Sequence, residues 1–153
     1  LRWVVRAERG FGEVVGLLGR HYNLEGVVVA GQQRGRKIGF PTANLETEKE
    51  QLPAPGVYAI KVRHNLQEYS GVVNLGRPPT FDNGKSTIEV HLLDFSGDLY
   101  GQKIRIYFVE RLRGERKFSN PQELVRAIEA DVVQARQVLA SRPIIQYQEY
   151  LSY

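Results

Sequence analysis

Val57-Tyr58-Ala59-Ile60-Lys61-Val62-Arg63 alternates cleanly, then gives way to His64-Asn65-Leu66-Gln67 and a second apolar-rich run over 69–75. Successive side chains of a strand point to opposite faces, so Tyr58, Ile60 and Val62 share one face. The short polar link has the character of a hairpin loop, which makes 57–63 and 69–75 an antiparallel pair. Working outward, 87–93 and 103–109 read as two more strands. Ser96-Gly97-Asp98, with Gly101 soon after, marks the turn between them. Upstream, Val27-Val28-Val29 is a β-branched run suited to a strand. Downstream the pattern changes to a helix. Asn120 is its N-cap, Pro121 takes the first helical position, and Glu123 stands where a capping-box acid belongs. Leu124, Ile128, Val132, Ala135 and Leu139 form its apolar stripe, and Arg142-Pro143 ends it. Short strands followed by one helix predict an all-β fold, a closed or nearly closed barrel capped by that helix. Alternating βα units are absent, which argues against a doubly wound nucleotide fold.

The remaining sequence sets bounds on function. A chain of 153 residues, 42% hydrophobic and 25% charged, reads as one ordinary globular domain. It has no cysteine, which excludes disulfides and thiolate metal sites, and its three histidines are scattered. No apolar run reaches membrane-spanning length and no signal-peptide pattern opens the chain, so the expected location is cytoplasmic. The formal net charge of +4 favours an anionic partner without choosing between nucleotide, nucleic acid and acidic surface. Residues 1–18 carry apolar positions at helical spacing, with Gly19 as a stop. Starting at Leu1 and lacking methionine, the chain reads as a piece of a longer polypeptide.

The richest motif is Gly39-Phe40-Pro41-Thr42-Ala43-Asn44, preceded by Gly31-Gln32-Gln33-Arg34-Gly35-Arg36-Lys37. Glycines let backbone N–H groups approach phosphate oxygens, and Arg34, Arg36 and Lys37 add positive charge. If the backbone stays extended past Pro41, Thr42 and Asn44 point the same way. A hydroxyl and an amide oxygen are hard ligands that Mg²⁺ accepts when it also holds nucleotide phosphates. The alternative is a polar turn after a strand. Glu89, in Thr87-Ile88-Glu89-Val90-His91-Leu92-Leu93, lies on the face opposite Ile88, Val90 and Leu92, together with His91. It is the natural group to take a proton from an acceptor hydroxyl in phosphoryl transfer, or else a glutamate facing water. Neither a GxxxxGK[ST] loop nor a GxGxxG opening a helix is present.

These segments occur in a telling order. After the 31–44 stretch come Pro55-Gly56-Val57-Tyr58-Ala59, Asn74-Leu75-Gly76 leading to Pro79-Thr80-Phe81, Glu89-Val90-His91-Leu92-Leu93-Asp94-Phe95, and Leu112-Arg113-Gly114-Glu115-Arg116-Lys117-Phe118. The succession resembles the riboflavin kinase family, most narrowly the C-terminal kinase module of bacterial bifunctional riboflavin kinase/FAD synthetases. That resemblance implies a Greek-key antiparallel β-barrel with a C-terminal helix. It also implies ATP-dependent phosphorylation of the terminal ribityl hydroxyl of riboflavin, giving FMN and ADP, with Mg²⁺. Thr42 and Asn44 then correspond to the metal and phosphate ligands and Glu89 to the catalytic base. Gly31, Arg36 and Lys37 match the nucleotide loop, and Leu92, Asp94 and Gly101 fall where nucleotide contacts are expected. Arg113, Lys117, Phe118 and Ser119 fall in the segment that shapes the flavin pocket, with Phe118 as an apolar wall or as a staple on the following helix.

The resemblance divides the chain into a linker or remnant of a preceding domain (1–18), the kinase domain (19–140) and a tail (141–153). Pro78 departs from the basic residue usual in bacterial relatives, and Tyr147, Tyr150 and Tyr153 match nothing in the family. The expected partners are riboflavin or FMN, ATP or ADP, and an adenylyltransferase domain in the full-length polypeptide. Nucleic acid and membrane are not expected partners. No nucleotidyltransferase-type HxGH occurs in the 153 residues, so these residues are expected to make FMN and not FAD. Two rival readings are a flavin-binding module without catalysis and a basic barrel that binds single-stranded nucleic acid. The basic residues cluster at 34–37 and 111–117 instead of forming an aromatic-lined stripe across strands, which disfavours the second.

Overall fold

The computed structural model describes residues 22–29, 40–48, 52–76 and 86–141. Its strands are β1 (Asn23–Val29), β2 (Ala43–Glu46), β3 (Gly56–His64), β4 (Gln67–Gly76), β5 (Thr87–Leu92) and β6 (Lys103–Arg113), followed by helix α1 (Pro121–Ala140). They close into an antiparallel barrel in the order β1-β2-β5-β4-β3-β6. Strands β3, β4 and β5 form a meander, and β6 returns to lie beside β3, which is a Greek key. The expected fold class is therefore observed. The segment over 1–18, the loop carrying Gly31, Arg36 and Lys37, Pro79-Thr80-Phe81, Arg142-Pro143 and the tail tyrosines lie outside the described residues.

The alternation seen in the sequence is built into the wall. Tyr58, Ile60 and Val62 point into the barrel, packed with Phe108, Ile106, Val73 and Val90. The Tyr58 and Phe108 rings meet edge-on at 5.4 Å and 83°. The opposite face of β3 is not solvated. Val57 and Ala59 are buried with Val72 and Val109 beneath Ala135 and Leu139 of α1, so β3 is covered on both sides. The hairpin turn narrows to Asn65-Leu66, where Asn65 adopts the left-handed φ of 55° that asparagine tolerates.

Three features differ from the sequence reading in ways that shape the site. The sequence leaves β2 conditional, yet Ala43–Glu46 is a full strand between β1 and β5. Strand β6 runs on to Arg113 instead of stopping at Val109, because its charged end keeps pairing with β3 through two register shifts to reach Val57↔Arg113. The buried face of α1 is Ala127, Asp131, Ala135 and Leu139, rotated from the expected stripe of Leu124, Ile128, Val132, Ala135 and Leu139. Small Ala127 lets the helix approach the barrel, and Asp131 is drawn inward by a cation on β6. The N-terminus of α1 is as expected. Asn120 Oδ1 accepts from the Glu123 N–H at 2.9 Å, and the Glu123 carboxylate accepts from the Ser119 N–H at 3.1 Å.

Candidate active site

The β2–β5 ladder brings two candidate groups together. Asn44 pairs directly with Glu89, and Glu89 pairs on its other side with Asn74 of β4. Residues that oppose one another across antiparallel strands share a face, with Cβ atoms ~4.5–5.5 Å apart. That face is the outside of the barrel. The flanking Ile88, Val90, Val73, Leu75, Leu45 and Ala43 all pack inward. Asn44, Glu89 and Asn74 thus form an amide–carboxylate–amide row across three strands. Among the described residues, no hydrogen bond or ion pair engages these three side chains.

Thr42 and Asn44 line a cleft of ≈ 360 Å³ between β1, β2, β5 and the turn after β5, with Val29, Leu92, Asp98 and Tyr100 on its other walls. Gly101 anchors that turn: its N–H donates to Val28 O at 2.8 Å, and its φ of 78° suits glycine. Asp94 lies in an adjoining hollow of ≈ 450 Å³ with Phe40, Pro41, His91 and Arg136. Its carboxylate takes a two-pronged contact from the Arg136 guanidinium at 2.8 and 3.0 Å. The Arg136 hydrogen bonds hold the Asp94 carboxyl below its ordinary range. Asp94 also has a left-handed φ of 56°, so this fork from α1 steadies a turn that few residues adopt.

On the far side of the barrel, Arg113 closes β6. Its Nε and an Nη donate to both Asp131 oxygens at 2.9, 3.2 and 2.9 Å, and its other Nη reaches Gly114 O at 3.3 Å. Its guanidinium carbon is 5.6 Å from the Phe118 ring centre, with that of Arg116 at 4.9 Å. Phe118 is half-buried, while Lys117 and Ser119 are exposed. Asn44 and Glu89 lie on one circumferential row with Arg113, Asn44↔Glu89↔Asn74↔Val57↔Arg113.

Among the described residues there is no cluster of three His, Cys, Asp or Glu side chains that could cage a metal ion. Thr42 and Asn44 instead offer two neutral oxygens beside a cleft. That suits Mg²⁺, which keeps waters and substrate phosphates and takes few protein ligands.

Comparison with known proteins is decisive. The family model described as Flavokinase: Riboflavin kinase matches residues 18–139. The chain belongs to the riboflavin kinase family. It is 42% identical over 125 residues to the bifunctional riboflavin kinase/FMN adenylyltransferase of Pseudomonas fluorescens, covering 81% of this chain and 40% of that protein. The corresponding Bacillus subtilis (strain 168) protein is 44% identical over 123 residues, covering 78% and 39%. The chain therefore spans about two fifths of the length of these relatives. A crystal structure described as a macrolide-efflux protein from Streptococcus pneumoniae superposes with a TM-score of 0.83 at 35% identity, over 88% of this chain and 44% of that one. The riboflavin kinase of Trypanosoma brucei superposes with a TM-score of 0.59 at 24% identity, over 88% and 87%, a likeness of fold alone. Among the described residues no helix is long and apolar enough to cross a membrane.

For a riboflavin kinase fold, sequence reasoning missed Asp131, Arg136 and Asn74. Asp131 and Arg136 act across the α1–barrel interface, which no local pattern reveals. Asn74 was legible in principle, since it sits between inward-facing Val73 and Leu75.

Proposed function

We propose that this chain transfers the γ-phosphoryl group of ATP to the terminal ribityl hydroxyl of riboflavin, giving FMN and ADP. The observation that carries the reading, beyond family membership, is the β2–β5 register, which pairs Asn44 with Glu89. It gives the phosphate-ligand strand and a carboxylate one common outer face. Glu89 accepts the proton of the attacking hydroxyl, the oxygen forms the new P–O bond, and the bond to ADP breaks. Thr42 and Asn44 would hold Mg²⁺, which when bound would offset the negative charge of the nucleotide phosphates. Leu92 and Gly101 border the nucleotide, and Gly31, Arg36 and Lys37, which lie outside the described residues, are assigned to it by the family resemblance. Asp94, steadied by Arg136, orders the turn beside it.

Arg113, Lys117, Phe118 and Ser119 form the flavin end. Because Asp131 occupies the Arg113 guanidinium, Arg113 serves chiefly to fix the Phe118 segment. The domain limits 1–18, 19–140 and 141–153, a cytoplasmic setting and an adenylyltransferase partner domain are part of the same reading. The FMN adenylyltransferase activity named for the relatives belongs to the length that this chain does not span.

Incubation with riboflavin, ATP and Mg²⁺, with products resolved by chromatography, tests the proposal. FMN is the expected product. Riboflavin binding without FMN formation would indicate a flavin-binding module instead, and FAD as product would contradict the assignment of the second activity elsewhere.

A further inference from the structure

On the β5 side, the ladder of β2 stops after Asn44↔Glu89 and Ala43↔Val90. One step further the register would set Thr42 against His91, and the next residue, Pro41, has no N–H with which to continue pairing. The Pro41 carbonyl still needs a donor. His91 supplies it: Nδ1 lies 2.8 Å from Pro41 O, across 50 positions of sequence. A carbonyl can only accept, so Nδ1 carries the proton and donates. The same imidazole meets the Phe40 ring edge-on, with centroids 5.6 Å apart at 78°. One side chain thus grips the two residues immediately before Thr42.

We propose that His91 is a positioning residue that aims Thr42 at the nucleotide phosphates by clamping the Phe40-Pro41 backbone against β5. Pro41 has a fixed φ, so holding its carbonyl at one end and its ring neighbour at the other leaves Thr42 little freedom of direction. His91 also shares the outer face of β5 with Glu89, two residues away, so one strand carries both the base and the clamp. A ligand held in reacting geometry is sensitive to small displacements, and ~1 Å of error can cost about 10²-fold in rate. The inference rests on the kinase reading of Thr42.

Two variants separate the contacts. His91→Phe keeps a ring for Phe40 and removes the donor. His91→Asn removes the ring and keeps an N–H close to where Nδ1 stood. Mg·ADP binding is measured by calorimetry, riboflavin binding by fluorescence, thermal melting by circular dichroism, and FMN formation with ATP varied. In His91→Phe, Mg·ADP affinity and kcat/KM for ATP are expected to fall by about 10- to 100-fold. Its melting temperature and riboflavin affinity should stay near wild type, and His91→Asn should recover most of the loss. The proposal is overturned if His91→Phe keeps wild-type nucleotide parameters, if the two variants are equally impaired, or if nucleotide affinity, flavin affinity and melting temperature all fall together. A wild-type chain that forms no FMN refutes the kinase reading itself, and the Mg·ADP comparison still judges the clamp.

Discussion

Replacing Asp131 by alanine removes the one charged side chain buried among the described residues. The Asp131 side chain is 7% exposed and that of Arg113 22%. Three N···O contacts of 2.9 to 3.2 Å join them, and only the Gly114 carbonyl at 3.3 Å remains to Arg113 once the carboxylate is gone. Breaking a buried pair from one side costs ~3–5 kcal/mol. Arg113 keeps some access to water, so the lower end, about 3 kcal/mol, is expected. That is roughly a 10²-fold loss in the folding equilibrium. For a chain of this size each kcal/mol moves the melting temperature by about 2–4 °C, which gives a drop of about 6–12 °C. Thermal melting followed by circular dichroism, with urea titration as a second probe, measures it.

A double-mutant cycle with Arg113→Met isolates the pair, and a coupling of about 0.5–3 kcal/mol is expected. Because Arg113 also lies over Phe118, Asp131→Asn should weaken riboflavin binding more than Mg·ADP binding. A melting temperature for Asp131→Ala within about 2 °C of wild type would refute the argument that this fork pins α1 to β6.

Glu89→Gln keeps the shape and removes the basicity, so kcat should fall by about 10²- to 10⁴-fold with stability and both affinities near wild type. Turnover within about threefold of wild type would leave Glu89 a positioning group at most. Thr42→Ala or Asn44→Ala should cut turnover and Mg·ADP binding severely while sparing riboflavin binding, as equilibrium titration of each ligand will reveal. At high pH, burial pushes the Tyr22 hydroxyl from 10.0 up to about 12, so the folded chain holds that proton more tightly than the unfolded one. Its contribution, about 2–3 kcal/mol, is intact below pH ~10 and is lost as pH rises towards ~12. Tyr22→Phe should flatten this alkaline decline in denaturant titrations, and an unchanged slope would contradict the assignment.

What the sequence revealed, and what it hid, follow from the range of the interactions. The β3–β4 hairpin was legible because alternation and turn chemistry are local, as were Asn120 and Glu123, whose capping partners lie three or four residues away. The burial of the outer face of β3 was not, since Val57 and Ala59 are covered only once α1 folds back on them. An acidic residue within a helix ordinarily faces water, so Asp131 gave no sign that it is buried against Arg113, 18 positions earlier. The ties Asp94–Arg136 and Pro41–His91 span 42 and 50 positions, and only the barrel brings them together. Thr42, Asn44 and Glu89 were named from motifs and a family resemblance. The structure adds that Asn44 and Glu89 are direct cross-strand neighbours, with Asn74 completing the row.

Phosphoryl transfer itself is read by the ratio of ADP released to FMN formed, followed in parallel for wild type and Glu89→Gln with riboflavin, ATP and Mg²⁺. One ADP is expected for each FMN in the wild type, with both rates falling together in the variant. ADP release without FMN, or a wild-type chain that binds riboflavin and ATP and forms neither product, would contradict the kinase reading.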